Sequence, residues 1–228
     1  MPRKVAIFDV DGTIFRSSLI IHITEEMISR GIFPRQARTE YKGAFNKWLE
    51  RLGDYEKYIE AVVASFMKHM RGMPYAQFAE ITDEVVARER NKLYRFTRDL
   101  IKDLKKKKYF LLAISQSPKH ALDVFLEDLG FDKVYGRIYE IGPQDKMTGE
   151  IQDLHLIANK ANIVRRAVEK NNLTLKGSIG VGDTEGDIPM LELVERAIAF
   201  NPNQKLYKYA KRMGWQIVVE RKDVIYQL

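Results

Sequence analysis

The sequence predicts an α/β protein with a mostly parallel sheet flanked by helices and an inserted helical cap domain. Three observations support this prediction. Short, continuous apolar runs alternate along the chain with helical patterns, which is typical of a parallel sheet. Two of these runs end in paired acids with glycine, as at the carboxyl edge where open α/β sheets bind ligands. A long stretch near the start has helical periodicity and no convincing strand.

The predicted strands are apolar runs without alternation, as expected for strands that are covered on both faces. They span residues 5–8, 109–114, 178–181 and 197–200, and residues 215–219 are expected to add an edge strand. Helices are predicted at residues 100–108, 120–129, 161–169 and 188–194. Residues 135–151 contain two short β-like runs broken by glycine and proline, so we expect a hairpin or an irregular excursion there.

The stretch of residues 19–90 differs from the rest of the chain. Its apolar residues recur at spacings of three and four, as at Ile59, Val62, Val63, Phe66 and Met67. We therefore expect a helical cap at residues 17–91, inserted into a core formed by residues 1–16 and 92–228. A lid over an active site is favoured over an additional helical bundle, because the insertion begins directly after the first acid pair.

Composition and charge narrow the class of protein. The net charge is +7, from 38 basic and 31 acidic residues, and the chain has no cysteine, which excludes disulfides, zinc-thiolate sites and thiol catalysis. No apolar run approaches the roughly 20 residues that span a bilayer, so no membrane partner is expected and the cytoplasm is the expected location. The basic residues are scattered apart from residues 105–108, a predicted solvated helix end. An anionic small substrate is therefore favoured over nucleic acid, and the oligomeric state stays open.

Four carboxylates carry most of the functional information. Asp9 and Asp11 lie in the segment DVDGT, and Asp183 and Asp187 lie in GDTEGD. Each pair follows an apolar run, and burying carboxylates together costs several kcal/mol unless a cation binds them. Mg²⁺ prefers oxygen ligands and also binds phosphate, so these segments predict a magnesium site that acts on phosphate.

Each candidate residue also has an ordinary structural explanation. Asp11 precedes a glycine turn, Asp183 would cap the helix that begins after it, and Asp187 would favour the positive end of that helix. Ser115 fits a turn or a helix N-cap, and Lys160 fits an exposed surface lysine. Taken alone, neither Ser115 nor Lys160 would be identified as a functional residue.

Taken together, the segments resemble the haloacid dehalogenase superfamily of phosphohydrolases over essentially the whole chain. Four motifs occur in order: DVDGT at residues 9–13, a strand-end serine in LLAISQS, Lys160 at the start of a predicted helix, and GDTEGD at residues 182–187. Lys146, in the irregular excursion, is a weaker candidate for the third motif. The helical insertion is similar to the C1 cap of the phosphoserine-phosphatase-like branch, and the remainder resembles that family's Rossmann-like catalytic core.

The resemblance implies a Mg²⁺-dependent phosphomonoester hydrolase that acts on a small phosphorylated metabolite through an aspartyl-phosphate. Asp9 would be the nucleophile, and Asp11 would act as general acid and then general base. Mg²⁺ would bind the Asp9 side chain, the Asp11 backbone carbonyl and Asp183. Asp187 would hold the waters of the metal or orient Lys160.

The resemblance also implies how the phosphoryl group is held. Ser115 would donate a hydrogen bond to a phosphoryl oxygen, and Lys160 would neutralise the phosphoryl charge. Thr13 and the Gly12 amide are expected to help hold the phosphate region.

The chain departs from phosphoserine phosphatases at three positions. Gln116 and Ser117 stand where those enzymes carry two glycines, and Gly186 stands where they usually carry asparagine. Phosphoserine is therefore not assured as the substrate. Cap residues such as Arg51 or Arg71 are expected to select it.

Two other functions stay open. A phosphotransferase or mutase would use the same site, and access of water under the cap would decide between transfer and hydrolysis. A non-catalytic module that binds a phosphorylated ligand or nucleic acid would need the cations but no acid–base partner, so the intact pair of Asp9 and Asp11 argues against it.

Overall fold

The computed structural model describes residues 2–153 and 159–228. Its strands are β1 (Arg3–Phe8), β2 (Phe110–Pro118), β3 (Lys133–Ile141), β4 (Met147–Gln152), β5 (Leu173–Gly182), β6 (Arg196–Phe200), β7 (Gln216–Arg221) and β8 (Val224–Gln227). They form one eight-stranded sheet in the order β4-β3-β2-β1-β5-β6-β7-β8. The six central strands are parallel, and β4 and β8 pair antiparallel at the two edges. The predicted fold class is confirmed.

Helices connect these strands. They are α1 (Leu19–Ser29), α2 (Ala37–Leu49), α3 (Tyr55–Met70), α4 (Tyr75–Glu89), α5 (Arg95–Lys106), α6 (Lys119–Leu126), α7 (Lys160–Lys170), α8 (Ile188–Leu191) and α9 (Gln204–Met213). Short 3₁₀ turns occupy Glu127–Leu129, Pro143–Asp145 and Glu185–Asp187. In the part of the chain that the structure describes, no helix has the length and apolar character needed to cross a membrane.

The core lies on both faces of the sheet, which explains the continuous apolar runs. Alternate side chains of β1 point to opposite faces. Ala6 and Phe8 join a cluster shared with α1 to α4, whereas Val5 and Ile7 join a cluster shared with α7 and α9. Burying each large side chain contributes roughly 1.5–3 kcal/mol, so a strand of this kind is stable only when both faces are covered.

The stretch between β1 and α5 is helical, as predicted, and forms α1 to α4. Phe66 of α3 is buried between Phe33 and Phe78, with ring centroids 5.7 Å and 6.1 Å away. The predicted hairpin is also present as β3 and β4, and its Met147 amide donates to the Met73 carbonyl at 2.9 Å. The division into a core at residues 1–16 and 92–228 and a cap at 17–91 stays a prediction.

Several predicted element boundaries are wrong. The second strand continues past residue 114 to Pro118, so Ser115 lies inside β2, where the register with β3 shifts. The helix predicted at residues 188–194 ends at Leu191, and a turn follows it.

The strand predicted at the sheet edge is β7, and it is not the edge because β8 pairs outside it. A tight turn with Lys222 at a φ of +55° joins the two strands. The sequence RKD contains no glycine or asparagine, the usual residues of such turns, so it does not announce a hairpin.

Candidate active site

The predicted site residues come together at the carboxyl ends of three adjacent strands. Asp9 follows β1, Ser115 lies near the end of β2, and Asp183 follows β5. The Asp9 amide donates to the Val181 carbonyl at 2.9 Å, which continues the parallel pairing of β1 and β5 to the site itself. Parallel pairing therefore brings residues from distant segments to one edge of the sheet.

Lys160 lies at the centre of this group of acids. Its ammonium donates to Oδ1 of Asp9 at 2.5 Å and to Oδ1 of Asp187 at 2.6 Å. The lysine is the first residue of α7, and the Asn159 side chain caps that helix by accepting from the Ala161 amide at 2.9 Å. The cap fixes the start of the helix and so places a buried cation between two carboxylates.

Asp187 is fully buried and uses both carboxylate oxygens. Oδ1 accepts from Lys160, while Oδ2 accepts from the amides of Asp183 and Thr184 at 2.9 Å and 3.1 Å. Asp183 does not cap the element that follows it: Thr184 is the N-cap of the Glu185–Asp187 turn, and Asp187 completes a capping box by accepting from the Thr184 amide. Gly182 makes room for it, since a Cβ there would lie 2.5 Å from the Asp187 side chain. Asp187 thus contacts Lys160 directly, and its role toward the lysine or a metal stays a prediction.

Gly12 and Thr13 both lie against the side chain of Asp183. A Cβ on Gly12 would lie 2.0 Å from Oδ2 of Asp183, and the glycine has a φ of +78°. Its amide donates to the carbonyls of Phe15 and Ser17, so it is engaged within the loop. Thr13 is fully buried, with its hydroxyl 3.4 Å from Oδ1 of Asp183. In the structure both residues lie against the Asp183 carboxylate, and their predicted phosphate contacts stay predictions.

Asp11 and Ser115 are joined by a hydrogen bond. The Ser115 hydroxyl donates to Oδ2 of Asp11 at 2.7 Å and accepts from the Ser117 amide at 2.9 Å. Oδ1 of Asp11 accepts from the Leu19 amide at 2.7 Å, at the first residue of α1. The side chain of Asp11 is thus held between Ser115 and the start of the helical stretch, and it lines the same cavity as Asp9 and Asp183.

The electrostatics of the site favour binding of a further cation. Burial raises the pKa of Asp9 to about 7, although Lys160 opposes this shift. Burial also raises the pKa of Asp183, and the nearby carboxylates of Asp9 and Asp187 raise it further. Burial alone would lower the pKa of Lys160, but Asp187 and Asp9 outweigh that effect and keep the lysine charged. One ammonium cannot compensate three buried carboxylates, so a second cation is required to keep them all ionised.

Oxygen atoms of Asp9, Asp183 and Asp187 lie within 4.8 Å of one another, close enough to surround a metal ion. Hard divalent cations prefer such oxygen ligands. Both Asp187 oxygens already accept hydrogen bonds, which leaves Asp9 and Asp183 as the side chains better placed for direct coordination. The donor set therefore fits a divalent metal.

A cavity of about 270 Å³ opens onto these residues. Its floor is formed by the acids, Ser115 and Lys160, and its roof is the α3 face that carries Tyr55, Glu56, Ile59, Glu60, Val63 and Ala64. The roof places helical residues over the acids, as a lid would.

Residues 6–192 match the haloacid dehalogenase-like hydrolase family. The chain belongs to this family. Within the haloacid dehalogenase-like hydrolases, an "Inhibition of morphological differentiation protein" of Streptomyces azureus is 26% identical over 96% of this chain and 79% of its own length. Phosphoserine phosphatase SerB1 of Mycobacterium tuberculosis is 26% identical over 93% of this chain and 69% of its own length.

Solved structures give the same fold. A phosphoserine phosphatase in its apo form superposes with a TM-score of 0.68 at 22% identity, covering 97% of this chain and 95% of that one. A phospho-aspartyl intermediate analogue of phosphoserine phosphatase superposes with a TM-score of 0.66 at 21% identity, covering 98% and 96%. The predicted family, fold and enzyme class, a haloacid dehalogenase-type phosphatase, are confirmed, whereas the roles assigned to individual site residues stay predictions.

The cap arginines named from the sequence lie outside the main cavity. Arg71 is exposed, and its Nε donates to the Thr148 carbonyl at 2.9 Å. Arg51 lies beside a second, more open cavity of about 860 Å³ that adjoins Asp183. Lys146, the weaker candidate for the third motif, is exposed in the hairpin between β3 and β4.

Sequence reasoning missed several residues that line the main cavity. Arg137 of β3 is the main omission, and Tyr55 and Glu56 of α3 are others. The hairpin prediction carried no indication that an arginine within it faces the site. The helical period of α3 indicates which face is apolar, but Glu56 lies among the roof residues although it is charged.

Proposed function

We propose that this protein is a Mg²⁺-dependent phosphomonoester hydrolase that acts on a small, cytoplasmic phosphorylated metabolite through an aspartyl-phosphate on Asp9. The observation that carries the proposal is the position of Lys160 between Asp9 and Asp187, beside Asp183 and at the floor of a cavity. This arrangement supplies a nucleophile, a fixed cation and oxygen ligands for a metal at one sheet edge. A cavity of about 270 Å³ suits a small metabolite.

Asp9 is the proposed nucleophile. One of its carboxylate oxygens attacks phosphorus in line with the leaving oxygen, forming a P–O bond to the aspartate while the P–O bond to the leaving group breaks. Lys160 already contacts Oδ1 of Asp9, so its charge offsets the repulsion between the carboxylate and the anionic phosphate. Ser115 donates to a phosphoryl oxygen once substrate is bound, in place of its present hydrogen bond to Asp11.

Asp11 is the proposed general acid and base. Protonated at the start, it donates its proton to the leaving oxygen, and an alcohol is released. The resulting carboxylate then takes a proton from a water that attacks the phosphorus of the aspartyl-phosphate. Inorganic phosphate leaves, Asp9 is regenerated and Asp11 is protonated again. The hydrogen bond from the Leu19 amide holds Asp11 at the floor of the cavity throughout.

The proposed metal ligands are the side chains of Asp9 and Asp183 and the backbone carbonyl of Asp11, with Asp187 in support. When bound, Mg²⁺ would neutralise negative charge on the phosphoryl oxygens. Metal binding would also explain why three buried carboxylates are gathered around a single lysine, two of them with a raised pKa.

The helical stretch at residues 17–91 is proposed to be a cap that closes the site against water and other acceptors. The α3 residues that roof the cavity support this role. Relatives are named phosphoserine phosphatases. Gln116 and Ser117 alter the second motif of this chain, so we propose the broader class of small phosphomonoesters.

A phosphate-release assay tests the proposal. Purified protein is incubated with p-nitrophenyl phosphate and with a panel of metabolite phosphates, in Mg²⁺ and in excess EDTA. We expect Mg²⁺-dependent release of inorganic phosphate that EDTA abolishes and added Mg²⁺ restores. Equal amounts of phosphate and dephosphorylated alcohol indicate hydrolysis, whereas transfer to an added acceptor alcohol at the expense of free phosphate would favour the phosphotransferase. No release from any ester in the presence of metal would overturn the proposal.

A further inference from the structure

The guanidinium of Arg137 faces the cavity, and no acid among the described residues forms an ion pair with it. Its Nη2 donates to the side-chain oxygen of Gln116, and its Nε is buried with no hydrogen-bond partner among the described residues. No carboxylate of those residues lies within 4.0 Å of it. A partly buried guanidinium with an unpaired N–H donor is energetically unfavourable unless an anion binds it.

The backbone that carries Arg137 is held firmly. The neighbouring Gly136 packs so closely against α6 that a Cβ there would lie 2.4 Å from Leu122 and 2.9 Å from the backbone of Lys119. Gln116, one of the residues by which the second motif departs from the family pattern, holds the guanidinium itself. A fixed, planar fork of N–H donors is suited to a carboxylate or a phosphate.

The acidic residues of the cavity roof and the basic Arg137 lie toward opposite sides of the cavity, across the strands of the sheet. Burial raises the pKa of Glu56, and the nearby carboxylates of Glu185 and Glu60 raise it further, which places the acidic part of the roof beside the loop after β5. Arg137 lies in β3, on the other side of β1. Between Asp9 at the end of β1 and Arg137 are two strand spacings, about 10 Å. Ile20, Ile59, Val63 and Ala64 supply apolar walls.

We infer that Arg137 is a specificity-determining residue that binds a second anionic group, a carboxylate or phosphate, on the leaving group of the substrate. This inference rests on the proposed function. The phosphoryl group lies at Asp9, the apolar part of the leaving group contacts the roof, and the second anion lies at the β3 end of the cavity. The preferred substrate is thus a small phosphomonoester with an anion several bonds away from the ester oxygen.

The test uses matched pairs of esters: alkyl phosphates of two to five carbons, and the same chains ending in a carboxylate. Phosphate release gives kcat/KM for each ester with the wild-type chain, Arg137→Met and Arg137→Lys. We expect the wild type to prefer the carboxylate ester at one chain length by 10-fold or more, and Arg137→Met to reduce that preference roughly 10- to 100-fold, as loss of a charge-assisted hydrogen bond predicts. Arg137→Lys should retain part of it, mainly through KM.

Arg71→Met is the matched control, because it removes an exposed arginine that lies outside the cavity; its preference should equal that of the wild type. An equal loss for both members of a pair in Arg137→Met would show that Arg137 binds the transferred phosphoryl group, and would overturn the inference. An unchanged preference would overturn it as well. Lack of all turnover by the wild type would instead overturn the proposed function, and the inference with it.

Discussion

The ammonium of Lys160 lies 2.5 Å from Oδ1 of Asp9, which is 151 residues earlier in the chain. Lys160 begins α7 and Asp9 follows β1, so the contact forms only when that helix packs against the sheet. A buried pair of this kind contributes little net stability against an apolar alternative, because removal of both charges from water offsets their attraction. The pair is better explained by the proposed chemistry, in which it would keep a carboxylate near phosphorus while offsetting the charge of that carboxylate.

Lys160→Met should lower both stability and activity. The substitution leaves Asp9 and Asp187 buried without their cation, and breaking a buried ion pair on one side typically costs about 3–5 kcal/mol. Chemical unfolding in EDTA measures the loss. Added Mg²⁺ should recover part of the stability but not the turnover. Lys170→Met, an exposed position at the end of the same helix, should match the wild type in both assays; an equal effect of the two substitutions would contradict a special role for Lys160.

Asp11→Asn should reduce turnover by about 10²–10⁴-fold, the usual contribution of a general acid. The amide keeps an oxygen that can accept from the Leu19 amide, so the fold should be retained. The loss should be larger for alkyl phosphates than for p-nitrophenyl phosphate, whose weakly basic leaving group needs less protonation. Measured kcat values for both ester types give the comparison. A non-catalytic binding module would instead show unaltered ligand binding and no turnover to lose.

Gly12→Ala should weaken metal binding. A Cβ there would lie 2.0 Å from Oδ2 of Asp183, so that carboxylate must move. We expect the Mg²⁺ concentration for half-maximal activity to rise, and thermal stabilisation by Mg²⁺ to fall. Gly31→Ala provides the control, since Gly31 has a similar φ of +72° but nothing within 4 Å of the added Cβ. Both variants carry the strain of a left-handed residue, roughly 1–2 kcal/mol, and only Gly12→Ala should change the metal dependence.

The stability of the metal-free protein should fall as the pH rises from about 4 to about 7. The folded-state pKa of Asp9 is raised to about 7 by burial, whereas its unfolded value is near 3.8. The folded state therefore holds the proton more tightly, and that stabilisation is fully present below the unfolded pKa and lost as the pH rises through the folded pKa. The pKa of Asp183 is also raised in the folded state, so its contribution to stability changes with pH in the same direction. In EDTA at pH 8, Asp9→Asn should melt a few degrees above the wild type, and near pH 4 the difference should disappear.

Asp145→Asn, at an exposed turn position, is the control for this experiment and should follow the wild-type profile. Saturating Mg²⁺ should stabilise the wild type at pH 8, so that the wild type then melts at a higher temperature than Asp9→Asn. A wild-type stability in EDTA that rises between pH 4 and 7, with no gain from Asp9→Asn, would show that Asp9 is ionised without strain.

The parts of the fold that are fixed by local patterns could be predicted from the sequence. Continuous apolar runs located β1, β5 and β6, and helical periodicity located the stretch before α5. Among the site residues, Asp9 and Asp183 were evident because each ends such a run. Ser115 and Lys160 have no local signature, and only their joint occurrence with the acids selected them.

The remainder depends on contacts that a single segment does not encode. The turn before β8 requires a left-handed Lys222, and the length of β2 depends on its pairing with β3. Arg137 was missed because the hairpin prediction does not indicate which side chains face the cavity, and the close packing of Gly136 on α6 is not visible in the sequence. The contacts of Gly12 and Thr13 with Asp183 were not anticipated for a similar reason: Asp183 is 170 residues away from Thr13 in the chain.

Turnover by Asp9→Asn tests the central claim most directly. The variant and the wild type are compared at saturating Mg²⁺ by release of inorganic phosphate from p-nitrophenyl phosphate, after circular dichroism has shown that both are folded. If Asp9 takes the phosphoryl group, the variant should lose activity by at least about 10⁴-fold. An Asp9→Asn protein that hydrolyses the ester at the wild-type rate would contradict the assignment of the nucleophile.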